Sequence, residues 1–236
     1  GCRAMIATNR TPNAMSNSPN RHSRNAMALG VWDLWIDSVG GFRLLEGDRF
    51  TVGGSGGDDP ADIAVRSAWR SQMATLQRVG DDFWLQRSTA SQAGTVQESV
   101  ASPVVSNSVL AIDPTDGEAL GGGESGARGP QLRLRKPSPL SDTIVLSLEA
   151  PHRFVVPVDA MILVDKTVLI GPDRSNHIRA TQQVNGGIVL LKRADQWWVR
   201  QTNGNAKPVL DGERVEVDAL VMTIRRDRTI LRIGEI

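Results

Sequence analysis

A cassette of β-strand signals occurs twice in this chain, and this duplication constrains the fold more than any other feature. The first repeat spans Arg49 to Arg87 and the second repeat spans Lys166 to Gln201. Each repeat begins with a β-branched strand that ends in Gly, continues through a polar loop and closes with a strand pair carrying an aromatic doublet. Internal repetition of this kind indicates that one supersecondary unit is used twice. The sequence therefore predicts two modules of the same fold.

Three short matches set the alignment of the repeats. They are Val52-Gly53 with Ile170-Gly171, Asp62-Ile63 with His177-Ile178, and Phe83-Trp84-Leu85 with Trp197-Trp198-Val199. From these we expect three pairs to form the shared apolar scaffold: Val52/Ile170, Ile63/Ile178 and Trp84/Trp198. Neighbours in a strand point to opposite faces, so only one of Trp197 and Trp198 can face its own core.

Short strand signals joined by turn residues run through the rest of the chain. Hairpin turns are predicted at Glu46-Gly47-Asp48, Gly80-Asp81 and Asp211-Gly212, where Gly can adopt a positive φ. The best helical candidate, 61–75, begins with the alternating residues Asp62-Ile63-Ala64-Val65, which favour a strand. Many short strands with such turns are typical of a β-sandwich or barrel.

We therefore predict an all-β chain of two tandem β-sandwich modules. The first module is placed at residues 29–136 and the second at 137–236, joined at Lys136-Pro137-Ser138-Pro139 because two prolines interrupt ladder pairing. Residues 1–28 contain four Arg and no acidic residue, and they lack apolar periodicity. This segment is predicted to be a disordered basic arm.

Composition argues against several function classes. The chain has 27 Lys and Arg against 26 Asp and Glu, so no global field attracts nucleic acid, and nucleic acid is not an expected partner. No run approaches the roughly 20 apolar residues of a membrane helix, which predicts no membrane span. Cys2 is the single cysteine, so no intrachain disulfide framework exists. These features together predict a cytoplasmic protein.

Several weak motifs occur in an order that resembles the forkhead-associated (FHA) domain. They are FTVGG at 50–54 and ADIAV at 61–65 in the first repeat, and VLIGP at 168–172 and SNHIRA at 175–180 in the second. The resemblance implies a β-sandwich of the SMAD/FHA type, which in its functional form binds phosphothreonine peptides. The arrangement is similar to bacterial proteins with two divergent FHA-like modules.

The chain departs from the family pattern at the phosphate-binding positions. Gly54 and Pro172 stand where the family has Arg, and Arg70-Ser71-Gln72-Met73 stands where it has Ser-Arg-x-His. A charge-assisted hydrogen bond contributes on the order of 1.5–3 kcal/mol, so losing two or three removes roughly 3–9 kcal/mol. A micromolar peptide has only about 8 kcal/mol in total. We therefore expect degenerate phosphopeptide sites.

A shifted peptide-binding site is the alternative. In the first repeat Arg66, Arg70 and Ser71 place two guanidinium groups and a hydroxyl in the loop, and Arg favours bidentate phosphate contacts. In the second repeat Arg174 and Ser175 form a similar polar loop with His177 and Arg179. The competing interpretation is that both are solvated loops. His177 stands at the position of Asp62, which favours a capping or surface role over a ligand role.

No pattern in the chain is typical of catalysis or of a cofactor site. The histidines and Cys2 show no metal-ligand spacing, and no segment resembles a nucleophile elbow. Asp58, Asp59 and Asp62 lack the ligand spacing of a calcium loop and are expected to form a polar turn. We therefore predict no enzyme activity and no cofactor. The predicted function is protein–protein interaction or scaffolding with a protein or phosphoprotein partner. The alternative is a phosphothreonine-peptide reader in signalling that uses the rearranged Arg and Ser residues.

Overall fold

The structure, a computed structural model, describes residues 30–56, 60–90, 96–98, 101–110, 112, 129–181 and 186–227. Within these ranges the chain forms strands and no helix, which confirms the all-β prediction. The predicted arm, 1–28, lies outside the described residues. The strands are β1 Gly30–Ile36, β2 Gly40–Glu46, β3 Arg49–Gly54, β4 Ile63–Val65, β5 Ala74–Val79, β6 Asp82–Ala90, β7 Val96–Glu98, β8 Ser102–Val104, β9 Val109–Leu110, β10 Leu132–Arg135, β11 Ile144–Leu148, β12 Ala160–Val164, β13 Thr167–Gly171, β14 Ile178–Arg179, β15 Ile188–Arg193, β16 Gln196–Gln201, β17 Lys207–Val209, β18 Arg214–Val217 and β19 Leu220–Arg226.

The strands form three sheets in three layers. The central eight-stranded sheet has the order β18-β19-β1-β2-β12-β11-β10-β9. A five-stranded sheet has the order β14-β13-β15-β16-β17, and a six-stranded sheet has the order β4-β3-β5-β6-β7 with β8 also paired to β6. Pairing is antiparallel except between β2 and β12, β3 and β4, and β13 and β14. All three sheets are therefore mixed.

The two outer sheets pack on opposite faces of the central sheet. Sandwich I is the six-stranded sheet packed mainly against β9–β12, and sandwich II is the five-stranded sheet packed mainly against β1, β2, β18 and β19. The middle strand β12 serves both cores. Its Met161 and Leu163 face sandwich I, whereas Ala160, Ile162 and Val164 face sandwich II. The predicted β-sandwich architecture is confirmed.

The strand pairing confirms the internal repeat residue by residue. Val52 pairs with Ile63 in a parallel ladder, and Ile170 pairs with Ile178 in the same way. Continuing this register along the ladders matches β1–β6 to β11–β16 and β8–β10 to β17–β19. Strand β7 has no counterpart among the described strands. The duplicated unit is therefore nine strands long and extends well beyond the two cassettes.

The two aromatic doublets are equivalent, as predicted, but the prediction that Trp84 and Trp198 form the buried scaffold is wrong. Phe83 and Trp197 are buried at 3% and 1% exposure, whereas Trp84 and Trp198 are half-buried. Alternation along β6 and β16 therefore turns the first residue of each doublet inward and the second outward. Trp197 meets Trp32 of β1 edge-to-face, with ring centroids 6.3 Å apart.

Each half of the chain gives its first hairpin to the sandwich of the other half. The closing strand β10 of the first half pairs with β11, and the closing strand β19 of the second half pairs with β1. The hairpin β1–β2 therefore completes sandwich II, and the hairpin β11–β12 completes sandwich I. The predicted module boundary at 136/137 falls between β10 and β11, which are neighbours in one sheet.

This exchange explains why two of the three predicted hairpins do not form. The turn at Gly80, with φ of +62°, joins β5 and β6 as expected. Gly47, with φ of +143°, instead leads from β2 in the central sheet to β3 in the outer sheet. Gly212, with φ of +77°, likewise leads from β17 to β18 in another sheet. A turn signal shows that the chain reverses and does not show which sheet it enters.

Buried cations at equivalent positions lie beside the two crossings between sheets. Lys192 pairs with Glu46 at 2.7 Å and lies over the ring of Trp32 at 4.6 Å. Arg78 is the counterpart of Lys192, and Asp165 is the counterpart of Glu46. Burial lowers the pKa of the Arg78 guanidinium, while nearby carboxylates, Asp165 foremost, act in the opposite direction. Each half thus supplies the acid for the cation of the other half.

Candidate functional site

The loop between β4 and β5 of the first repeat lies directly on the end of β3. The amide of Gly54 donates to the carbonyl of Arg70 at 2.7 Å. A Cβ atom at Gly54 would lie 2.0 Å from the carbonyl oxygen of Trp69, and one at Gly53 would lie 2.2 Å from that of Ser71. Contacts this short do not occur with real side chains, so both positions require Gly. The backbone of 69–71 occupies the space that a side chain at position 54 would need.

The two arginines of this loop bind the protein's own carbonyl groups. The Nη2 of Arg70 donates to the carbonyl of Ser88 at 2.7 Å, and the Nη2 of Arg66 donates to the carbonyl of Val155 at 3.1 Å. These bonds attach the loop to β6 and to the connection between β11 and β12. Both side chains are exposed apart from these contacts, while Ser71 is half-buried. The structure therefore places Arg66, Arg70 and Ser71 in one loop, with both guanidinium groups fixing its position.

An open cleft of about 340 Å³ adjoins the loop. Its lining residues are Ser67, Ala68, Trp69, Arg70, Met73, Gly129 and Pro130. Arg70 is the only titratable side chain among these described lining residues, so they provide no pair of groups that could act as general acid and base.

His177 and Asp62 perform the same structural role in the two repeats. The amide of Thr51 donates to Oδ2 of Asp62 at 2.7 Å, and the amide of Leu169 donates to Nδ1 of His177 at 2.8 Å. Thr51 and Leu169 are equivalent residues in β3 and β13. The predicted capping role of His177 matches this contact. The predicted surface position does not, because His177 is only 2% exposed.

Burial keeps the His177 imidazole neutral. Burial first, and then the positive charge of Arg135, lower its pKa to about 4, while an interaction with the backbone of Thr143 opposes the change. Since Nδ1 accepts a hydrogen bond, the proton of the neutral ring is on Nε2. Nε2 is buried, and among the described residues it makes no hydrogen bond of normal geometry.

Arg135 of β10 fixes the loop of the second repeat from the other half of the chain. Its guanidinium donates to the carbonyls of Arg174 at 3.3 Å, Asn176 at 3.1 Å and His177 at 2.8 Å. Burial lowers the pKa of Arg135, and the positive charge of Arg179 lowers it further. Arg135 was not among the predicted site residues, although the alternation of Leu132-Arg133-Leu134-Arg135 places two guanidinium groups opposite an apolar face.

We name the group formed by Arg135, Arg174, Ser175 and Arg179 the seam cluster, because it joins β10 of the first half to the β13–β14 region of the second. Arg174, Ser175 and Arg179 are exposed, and Arg135 is half-buried. The loop carries one acidic residue of its own, Asp173. The sequence candidates Arg174 and Ser175 thus lie in a positively charged surface, separate from the loop of Arg66, Arg70 and Ser71.

A metal site, a membrane-spanning helix or a match to a known protein would each point to a function. In the part of the chain that the structure describes, no three His, Cys, Asp or Glu side chains gather where they could hold a metal ion. The same part contains no helix that could cross a bilayer. No protein-family model, curated protein or solved structure shows a significant match to this chain.

Proposed function

We propose that this chain is a non-catalytic protein–protein interaction or scaffolding protein, built on two divergent FHA-like modules of bacterial type and acting in cytoplasmic signalling. The motif order supports the FHA likeness, and the duplicated β-sandwich architecture is in keeping with it. The expected partner is a protein or phosphoprotein. In this proposal the phosphothreonine site that the family resemblance implies has been lost.

The closed loop over Gly54 carries this proposal. The family resemblance requires an Arg at this position, and the backbone of Trp69 leaves no room for any side chain there. Arg70 and Arg66 do not stand at the position of the missing group, and each commits an Nη2 donor to a backbone carbonyl of the protein. Those bonds tie both side chains to β6 and to the connection between β11 and β12. The loop is therefore built to hold the sandwich together.

The absence of a catalytic role is supported by the chemistry of the cleft beside this loop. Catalysis by proton transfer needs a titratable group positioned near the reacting atom and matched in pKa to the working pH. A guanidinium group carries donors and no acceptor, so Arg70 cannot act as a base.

A peptide-display experiment tests the interaction role. The folded chain is screened against libraries that contain each sequence with threonine and with phosphothreonine, beside the double variant Arg70→Ala, Ser71→Ala. The exposed Arg49 of β3 lies outside the loop, so Arg49→Ala is the charge-matched control. We expect peptides to be selected, and we expect the double variant to select the same sequences as the wild type.

Two results would contradict the proposal. If the double variant loses phosphothreonine selection while the Arg49 control keeps it, the chain is a phosphopeptide reader that uses the rearranged loop. If neither form of the library yields a bound peptide, the interaction role itself is wrong.

A further inference from the structure

The outer edge of β4 in the first repeat is covered by the chain itself. Val155 donates its amide to the carbonyl of Ala64 at 2.9 Å, and Arg66 donates its amide to the carbonyl of Arg153 at 2.9 Å. Val65 and Phe154 complete this contact as an antiparallel bridge. The segment 153–155 therefore occupies the edge of β4 as an added strand would. Covering an edge in this way prevents pairing with other chains.

Among the described residues, no segment covers the equivalent edge of β14 in the second repeat. The covering segment 153–155 belongs to the long connection 149–159 between β11 and β12, whereas the equivalent connection between β1 and β2 is the short turn 37–39. Arg179 stands at the position of Ala64, so its backbone N–H and C=O point outward as those of Ala64 do. Among the described residues no backbone group pairs with Arg179 on this side.

The charge around this open edge is positive. Arg135, Arg174 and Arg179 contribute three guanidinium groups, and the hydrogen bonds of Arg135 all go to neutral carbonyls. Asp62 of the first repeat is replaced by the neutral His177, which removes a carboxylate from this loop. Asp173 alone opposes the three cations within the loop. A ligand that lies along β14 therefore meets an excess of positive charge.

The floor beside the edge is partly apolar. Val109 of β9 is 43% exposed and pairs with Arg133, so both lie on the same face of the central sheet as Arg135. Arg133 is ion-paired with Glu149, so this face of the sheet offers an apolar residue and a neutralised cation beside Arg135.

We propose that an acidic peptide in extended conformation pairs with the outer edge of β14 at Arg179 and places an anionic side chain, phosphorylated or carboxylic, against the seam cluster. Strand addition supplies backbone hydrogen bonds, and the guanidinium groups supply selectivity for negative charge. The inference rests on the proposed interaction role and names the chemistry of the partner. It places recognition on a strand edge and on the seam cluster, outside the Gly54 loop.

Fluorescence anisotropy with three labelled peptides tests the proposal. The peptides share one sequence of alternating Val and Ser and differ only at the centre, which is phosphothreonine, Glu or Thr. We expect the phosphothreonine and Glu peptides to bind and the Thr peptide to bind about tenfold more weakly, since each charge-assisted bond is worth about that factor. Preference for phosphothreonine over Glu identifies a phosphorylated partner, and equal binding identifies an acidic one.

Two variants at one position separate charge from backbone pairing. Arg179→Ala removes the guanidinium. Arg179→Pro also removes the outward N–H, and an edge strand tolerates Pro at a position whose N–H faces outward. We expect Arg179→Ala to weaken binding about tenfold and Arg179→Pro to weaken it about fivefold more. Arg225 is the exposed counterpart of Arg135 in β19 and serves as the matched control, with Arg225→Ala expected to stay within about twofold.

A peptide modification gives the same information if Arg179→Pro fails to fold. Methylating the amides of one alternate set of peptide residues should abolish binding, while methylating the other set should leave it unchanged. The edge site is overturned if acidic peptides bind but neither the Arg179 variants nor either methylated set changes their affinity, a result that leaves the interaction role intact. It is also overturned if none of the acidic peptides binds, or if a single-stranded oligonucleotide binds this surface and no peptide does.

Discussion

Replacing one buried leucine in the first hairpin should destabilise the sandwich of the opposite half. Leu34 lies in β1, is 1% exposed and belongs to the core of sandwich II. Its counterpart by register is Leu146 of β11, which is fully buried in the core of sandwich I. Leu34→Ala and Leu146→Ala are therefore the same chemical change at two equivalent sites, and each serves as the control for the other.

The expected size follows from the burial of the two side chains. A buried Leu→Ala substitution removes transfer free energy and leaves a cavity, and it costs about 3–5 kcal/mol where the surroundings cannot collapse. Central strands of a packed sheet have little freedom to move, so we expect about 3 kcal/mol for each variant. That loss corresponds to roughly a hundredfold decrease in hydrogen-exchange protection of the affected sandwich.

Native-state hydrogen exchange in low urea resolves the two sandwiches. We expect Leu34→Ala to reduce protection most in β13, β15 and β16, although it lies in the first half of the chain. Leu146→Ala should reduce protection most in β3, β5 and β6. The exchanged architecture would be refuted if each substitution instead affected the outer sheet of its own half. Equal losses in both sheets would show that the three layers unfold as one unit.

Two further predictions follow from the loop contacts. Gly54→Ala should lower stability by about 1–3 kcal/mol because the loop must move away from the new Cβ atom; thermal unfolding measures this, with Gly56→Ala, at an open position, as the neutral control. The depressed pKa of His177, about 4, means that the folded state favours the neutral ring. Its stabilisation is therefore complete above the ordinary His pKa of about 6.5 and is lost as pH falls towards 4, by up to about 3 kcal/mol. His177→Asn retains an acceptor for the Leu169 amide, as Asp62 does for Thr51, and should remove this part of the pH dependence in urea titrations. A variant with the same pH dependence as the wild type would contradict the assignment.

The sequence was sufficient to predict the repeat, because its signals are local. A Gly that ends a strand, a capping residue before Ile and an aromatic doublet are each fixed by contacts within one ladder, as Val52 with Ile63 shows. The prediction that Trp84 and Trp198 are buried was wrong because alternation shows that neighbouring residues face opposite sides and does not show which side faces the core. The exchange of hairpins could not be predicted, since an apolar alternation is satisfied by any sheet with a matching face.

One sequence signal of the central sheet was available. Ala160–Val164 is apolar at five consecutive positions, and every one of them is buried. A continuous apolar run is typical of a strand covered on both faces, whereas a two-layer sandwich needs alternation. This strand therefore indicated a third layer. It did not indicate that its parallel neighbour would be β2, which lies far away in sequence.

The site was less predictable because its contacts cross between distant segments. Arg66, Arg70, Arg174 and Ser175 were found from their residue types in loops, but the carbonyl partners of Arg66 and Arg70 depend on tertiary structure. Arg135 was not recognised because it lies in a strand of the other half. Residue type therefore identified the positively charged loops. The fold was needed to show that Arg66, Arg70 and Arg135 hold loops through carbonyl bonds.

The exchange of hairpins also explains how two copies of one unit come to present different edges. Because β11–β12 belongs to sandwich I, its connecting segment 149–159 reaches β4. The equivalent connection in sandwich II is the short turn 37–39, whose backbone bonds go to Val221 and Ile36 and not to β14. The length of one connection thus controls exposure of the edge in the opposite half, without altering either core. Shortening 149–159 would open the edge of β4, but no arginine stands at Ala64 to select an acidic ligand there. An open edge and a positive cluster coincide in the second repeat alone among the described residues, and that coincidence is the physical basis for assigning partner recognition to β14.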